Sequence, residues 1–259
     1  ILVAMQRPSI RALPVVGAVL VLLVGGGIAF SDRDAEPAAQ VAATTTVPAE
    51  TTTTAEPDTP GFLVADAVGP AVDLYREPGV VYEERPWLDN PTHEGLAVVF
   101  QVLEEQPEYL KVRVSSRPNG LVAWVKRNQV SLREVPNRVL VEVGARRVTV
   151  FNGDEVVFQE PAAVGTDRTP TPLGQFFVDG IVKLAYDKGP YGTHQVSVSG
   201  FSDVLTSFGG GNGQIAIHGT NRPDLLGQPV SNGCVRLSND AIDRLAWLAP
   251  TGTPVEIVA

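Results

Sequence analysis

The chain has 259 residues, 44% of them hydrophobic, and its 29 acidic residues outnumber 20 basic ones for a net charge of −9. With a pI near 4.9 it offers no basic patch for nucleic acid and would be repelled by anionic lipid headgroups. A single cysteine, Cys234, excludes an intramolecular disulfide.

Arg7 and Arg11 precede a stretch, residues 12–31, that carries no charge. As a helix it would run roughly 30 Å, about one hydrocarbon thickness, so it reads as a transmembrane anchor. The positive-inside bias puts residues 1–11 in the cytoplasm and everything after residue 31 outside the cell. A cleaved signal peptide is the competing reading, because Ala29 and Ser31 form a small-x-small pattern. Met5, the only methionine, is an expected start site. Residues 32–61 form a linker. From Ala35 to Pro60 it is Thr, Ala, Pro and Glu without aromatics or apolar periodicity, a composition that cannot offset its own ordering entropy. The expectation is a disordered tether reaching up to roughly 85–95 Å.

Residues 62–135 hold alternating runs (AVDLY, LAVVFQVLEE, YLKVRVS, VAWVKRNQVSL) broken by EPG, DNP and RPNG, the pattern of a small all-β barrel. Trp124 and Tyr109 are expected to fill its interior, and His93 to be a solvated turn residue. Strand signals resume at Val139 with VLVEV and RRVTVF, and Asn152-Gly153 predicts a type I′ hairpin into EVVFQEPAAVG. Further strands are expected at QFFVDGIVKL, HQVSVS, QIAIH and PVEIV. Residues 238–249 fit a helix, with Ser238 as N-cap, Asp240 in the first turn, and Ile242, Leu245 and Ala249 on the buried face. The fold class is therefore mainly β: a small barrel, then a β-rich domain over 138–259 with one or few short helices.

The chemistry concentrates in QIAIHGTNRPDLLGQPVSNGCVRLSNDAIDRL. His218 ends an apolar strand, and Cys234 follows sixteen residues later, between Gly233 and Val235. Gly219, Pro223, Gly227 and Pro229 supply the turns that fold the intervening loop back. A thiol of ordinary pKa is mostly un-ionised at neutral pH, so a cysteine nucleophile needs an adjacent base or positive field, and His218 is the candidate. Gly233 permits close substrate approach, so the Gly233 and Cys234 amides could form an oxyanion hole. Arg236 could hold a loop carbonyl, support a thiolate, or grip a substrate carboxylate. His194, on a strand, reads as a satisfied structural histidine. A zinc site from His194, His218 and Cys234 lacks the short paired spacings of metal motifs, and a papain-like protease would place its cysteine before its histidine.

The HGT…S-x-GC-x-R core, with Gly165 to Val178 (GTDRTPTPLGQFFV) upstream, resembles the L,D-transpeptidase catalytic domain, also called YkuD, from about residue 138 to the end. Residues 62–135, with YREPG and YLKVRVSSRPNGLVAWVKRNQV, resemble the bacterial Src-homology-3-like modules that precede cell-wall enzymes. The first resemblance implies Cys234 as nucleophile, His218 as general base, Ser231, Asn232, Gly233 and Arg236 as supporting positions, and Gly219, Thr220 and Asn221 lining the substrate site. Asn232 stands where many members carry a second histidine, which leaves His218 as the base within the motif. The implied partners are peptidoglycan stem peptides as donor and acceptor and carbapenem inhibitors; no metal or organic cofactor is required. Acyl transfer to an amine would cross-link cell wall, transfer to water would make an L,D-carboxypeptidase, and the non-enzymatic rival is an exported wall-binding protein.

Overall fold

Alternating apolar residues fold the first half of the described chain into short antiparallel strands. The computed structural model describes residues 61–259. The expected cytoplasmic segment, the anchor at 12–31 and nearly all of the linker lie outside the described residues. Among the described residues no helix is long and apolar enough to cross a membrane.

The strands of this half are β1 (Phe62–Ala67), β2 (Ala71–Asp73), β3 (Tyr75–Glu77), β4 (Val80–Val81), β5 (Trp87–Asp89), β6 (Val99–Glu105), β7 (Tyr109–Arg113), β8 (Val122–Lys126) and β9 (Val130–Val135). Seven of them form one sheet in the order β4-β3-β8-β7-β6-β1-β9, and β2 pairs with β5. Ala65, Leu74, Phe100, Leu110, Val112 and Val125 build its core. Trp124 is buried as expected, whereas Tyr109 is only half-buried and meets the Tyr75 ring edge-on at 5.4 Å.

The second half contains β10 (Asn137–Glu142), β11 (Arg147–Asn152), β12 (Glu155–Pro161), β13 (Val164–Gly165), β14 (Gly174–Lys183), β15 (His194–Phe201), β16 (Gln214–His218), β17 (Pro229–Ser231), β18 (Val235–Arg236), the helix α1 (Asn239–Leu248) and β19 (Pro254–Val258). Eight strands form a sheet in the order β12-β11-β10-β19-β14-β15-β16-β18, so the last strand of the chain inserts between β10 and β14. It runs parallel to β10 and antiparallel to β14. The β11–β12 loop is Gly153–Asp154, because Asn152 pairs with Glu155. Only Gly153 of the two has positive φ, +56°, so the turn is not the type I′ expected at Asn152-Gly153, which needs both central residues there.

Ser238 caps α1, its Oγ accepting the Ala241 N–H at 3.2 Å. The apolar stripe Ala241, Ile242 and Leu245, continued by Ala249, is buried against β15 and β16, as the periodicity predicts. Only Pro136 separates β9 from β10, and the two halves belong to one compact unit. Arg133 on β9 pairs with Asp66 and donates to the Thr251 carbonyl at 2.8 Å. Gly252 (φ +89°) faces Val64 so closely that a Cβ there would lie 2.4 Å from a valine methyl. Leu96 fits against Gly180 in the same way.

Candidate active site

His218 ends β16 and is 3% exposed. β18 runs parallel to β16, with Ile217 opposite Val235 and His218 opposite Arg236. Side chains alternate along a strand, so Ile217 and Val235 share the core face. His218, Arg236 and Cys234, one residue before β18, are therefore directed to the opposite face. The intervening loop returns along β17, which pairs parallel with β13, and its Gly227 N–H donates to the Ala162 carbonyl at 3.1 Å.

The turn before the cysteine is fixed by one hydroxyl. Ser231, 1% exposed, accepts the Gly233 N–H at 3.1 Å and donates to the Cys234 carbonyl. Gly233 has φ +114°, a conformation that L side chains rarely adopt. Its amide is committed within the loop, so of the two proposed oxyanion donors Gly233 is already engaged by Ser231. The upstream Gly165–Thr171 segment braces this turn from behind. Thr169 Oγ1 and the Thr166 N–H both donate to the Ser231 carbonyl, at 3.1 and 3.2 Å, and the Gly165 N–H donates to Thr171 Oγ1 at 2.9 Å. A Cβ on Gly165 would lie 2.4 Å from the Thr169 carbonyl, so no other residue fits that position.

His218 Nδ1 stands 2.6 Å from the Gly219 carbonyl, which can only accept. The proton therefore sits on Nδ1, leaving Nε2 as the basic lone pair. Burial lowers the imidazole pKa to about 4, partly offset by the Gly219 hydrogen bond and assisted by the Arg236 charge. Burial pushes the Cys234 thiol up, against the pull of the Ala216 backbone and of Arg236. Thiol and imidazole are thus both neutral at rest. Arg236 Nε is buried and has no hydrogen-bond partner among the described residues. Loop-pinning by its guanidinium therefore finds no support at that atom.

These groups open on a cavity of about 200 Å³ lined by His218, Ser231, Asn232, Cys234 and Arg236, together with Tyr191, Gln214 and residues of the 202–213 loop. The Tyr191 ring lies 4.8 Å from that of His218, tilted by 57°. Gly219, Thr220 and Asn221 are not among the lining residues. The Asn239 side chain of α1 takes the Thr220 N–H at 3.1 Å and draws this turn toward the helix, while Asn221 faces solvent. His194 also lies outside the cavity lining, its Nδ1 2.6 Å from Asp243 Oδ1 on α1. Among the described residues no cluster of three or more His, Cys, Asp or Glu is arranged to hold a metal.

The family model of the L,D-transpeptidase catalytic domain, YkuD, matches residues 136–257. YkuD of Bacillus licheniformis is 32% identical over 183 residues, 69% of this chain and 98% of that relative. The chain belongs to the YkuD family of L,D-transpeptidases. YkuD of Bacillus subtilis is 33% identical over 123 residues, 48% of this chain and 66% of that relative. Among solved structures, an L,D-transpeptidase from Mycobacterium smegmatis aligns at 18% identity and a TM-score of 0.38, covering 62% of this chain and 99% of that one. L,D-transpeptidase 3 from Mycobacterium tuberculosis, in complex with a faropenem-derived adduct, aligns at 15% identity and a TM-score of 0.41, covering 59% and 92%.

Two groups in this YkuD-family cavity escaped sequence reasoning. Tyr191 lies three residues before His194, in YGTH, but nothing in that string tells that its ring meets His218. Gln214 begins the His218 strand, and its position was readable while its role was not.

Proposed function

We propose that this YkuD-family protein is a peptidoglycan L,D-transpeptidase whose nucleophile is Cys234 and whose general base is His218. The supporting observation is the parallel register of β16 and β18, which directs both side chains to one face and into one cavity. The donor is a tetrapeptide stem, attacked at the carbonyl of its L-centred third residue. As Sγ bonds to that carbon, His218 Nε2 takes the thiol proton. The tetrahedral oxyanion collapses, the C–N bond to D-alanine breaks, and the imidazolium returns its proton to the departing amine. A thioester remains. An acceptor amine then attacks, His218 takes its excess proton, and the Cys234 thiolate leaves and is reprotonated.

Arg236 lines the same cavity and presents a positive charge beside this chemistry, which suits its guanidinium to the donor's free carboxylate. Residues 62–135 are read as a Src-homology-3-like module attached to the catalytic domain at 138–259, and the whole as exported and acting in the cell wall. Carbapenems would acylate the same sulfur.

Intact mass after incubation with imipenem, and separately with the tetrapeptide, tests the reading. The expected outcome is one covalent adduct with each compound on wild type and none on Cys234→Ala. An adduct that persists in Cys234→Ala, or no adduct on wild type, would sink the nucleophile assignment. Release of tripeptide with no amine product, even with acceptor in excess, would make the enzyme an L,D-carboxypeptidase.

A further inference from the structure

One wall of the active-site cavity is the segment from Ser202 to Gly213, and it has little of its own to hold it in shape. Most of it is exposed, including Val204 and Phe208, and it belongs to neither β15 nor β16. Its internal bonds are few: the Ser202 N–H donates to the Gly213 carbonyl at 2.8 Å and closes the segment at its base, Ser202 Oγ accepts the Leu205 N–H at 3.0 Å, and Phe208 and Gly211 exchange backbone bonds. The anchors between that closed base and the tip come from the other half of the molecule. Arg117, in the β7–β8 turn, donates to the carbonyls of Ser202 at 2.9 Å, Leu205 at 3.1 Å and Asn212 at 3.3 Å. Its guanidinium also stacks 5.1 Å from the centre of the Phe201 ring. Asn119 in the same turn makes a two-way bond to the Phe201 backbone, 2.7 Å to its carbonyl and 2.8 Å from its N–H. Gly213 (φ +79°) leaves the space for this arrangement, since a Cβ there would meet the Leu205 carbonyl at 2.0 Å and Arg117 Nη2 at 3.0 Å.

A second link runs from the same turn to the strand of the base. Ser115 Oγ donates to Asp179 Oδ2 at 2.5 Å, and Gln214 Nε2 donates to the same oxygen at 2.6 Å. Gln214 lines the cavity and starts β16, the strand that ends in His218. A guanidinium is a rigid fork of five donors, so three carbonyls converging on it are fixed relative to one another as well as to the turn.

We propose that the turn Ser115–Gly120 is a positioning element of the active site, whose Arg117 and Asn119 hold the Ser202–Gly213 wall in the shape that receives the donor peptide. Donor recognition then depends on residues outside the catalytic domain, and the N-terminal half is more than a spacer. The inference rests on the transpeptidase reading for its substrate, while the link between turn and wall is independent of it.

The test uses the full chain and the variants Arg117→Ala, Arg117→Lys and Asn119→Ala. With the tetrapeptide as donor, Arg117→Ala is expected to raise KM about tenfold and change kcat by less than about threefold, with Arg117→Lys in between. Alkylation of Cys234 by iodoacetamide, which needs no peptide wall, should stay within about twofold of wild type. Backbone amides of residues 203–212 should exchange hydrogen at least about tenfold faster in both alanine variants, while those of α1 do not. The proposal is overturned if KM is unchanged in both alanine variants, or if KM, kcat and alkylation fail together with a fall in melting temperature. Should wild type not turn over the tetrapeptide, the transpeptidase reading fails and hydrogen exchange alone decides. Unaltered exchange at 203–212 then overturns the link. If Arg117→Ala does not fold, Asn119→Ala carries the same readouts.

Discussion

Burial drives the two side chains proposed to react in opposite directions, lowering His218 to about 4 and raising Cys234, so a protonated thiol and a neutral imidazole share the cavity at neutral pH. In the proposed reaction the proton has to move during attack, which makes the base form of His218 the controlling state. The acid limb of kcat/KM is therefore expected near pH 4, with a flat profile between about pH 5 and 8. A limb near 6.5 would mean that the imidazole is not desolvated. The same depression has a stability consequence. Below its ordinary 6.5 the unfolded chain binds a proton that the folded chain refuses until about pH 4, so stability falls as pH drops through that window. The loss is about 3 kcal/mol and should be absent in His218→Gln, as urea midpoints at pH 7 and pH 4 would reveal. Ser231 has a different part, because its hydroxyl satisfies both the Gly233 amide and the Cys234 carbonyl in a buried turn. Ser231→Ala is expected to cost about 1–3 kcal/mol and to slow acylation while leaving the alkylated thiol identifiable by mass.

At the level of elements, α1 is held by the Ser238 cap and by a stripe packed on β15 and β16. Ser238→Ala should lower stability by about 1 kcal/mol, measured by urea unfolding, because one of the first-turn amides loses its acceptor. The long strands and the helix were legible in the sequence for the same reason that they are stable, since apolar side chains recur at the period of the element that buries them. β13, β17 and β18 were not, because two or three residues carry no period. The hairpin at 152–155 was found with its turn displaced by one residue, since Asn152 pairs in the ladder and Gly153–Asp154 make the loop. That Cys234 and His218 share one cavity was readable from motif and turn residues. The orientation of Gly219 and Thr220 toward α1 was not, because it depends on Asn239, which nothing in the HGTN string announces.

At the scale of the molecule, the sequence suggests two domains in series, 62–135 and 138–259; in the structure Pro136 separates β9 from β10, and both halves belong to one compact unit. What composition could not express is the contact between the halves. Arg117 and Ser202 are 85 residues apart, and such a bond leaves no local trace. With the exposed Trp247 of α1 replaced by Phe, the remaining tryptophans, Trp87 and Trp124, lie in one half and Cys234 in the other, so they report the two halves separately. In a urea titration of this full-length variant, tryptophan environment and Cys234 accessibility to a thiol reagent are expected to change at one midpoint; two separated midpoints would mean that the halves unfold independently. The Gly252 notch that receives Val64 extends this point to inheritance. Because a methyl at 252 would strike Val64, and a bulkier residue at 64 would strike the Gly252 backbone, an exchange of modules between related proteins must carry both positions together. The junction at Pro136, which looks like a seam in sequence, is therefore a poor place to join unrelated halves.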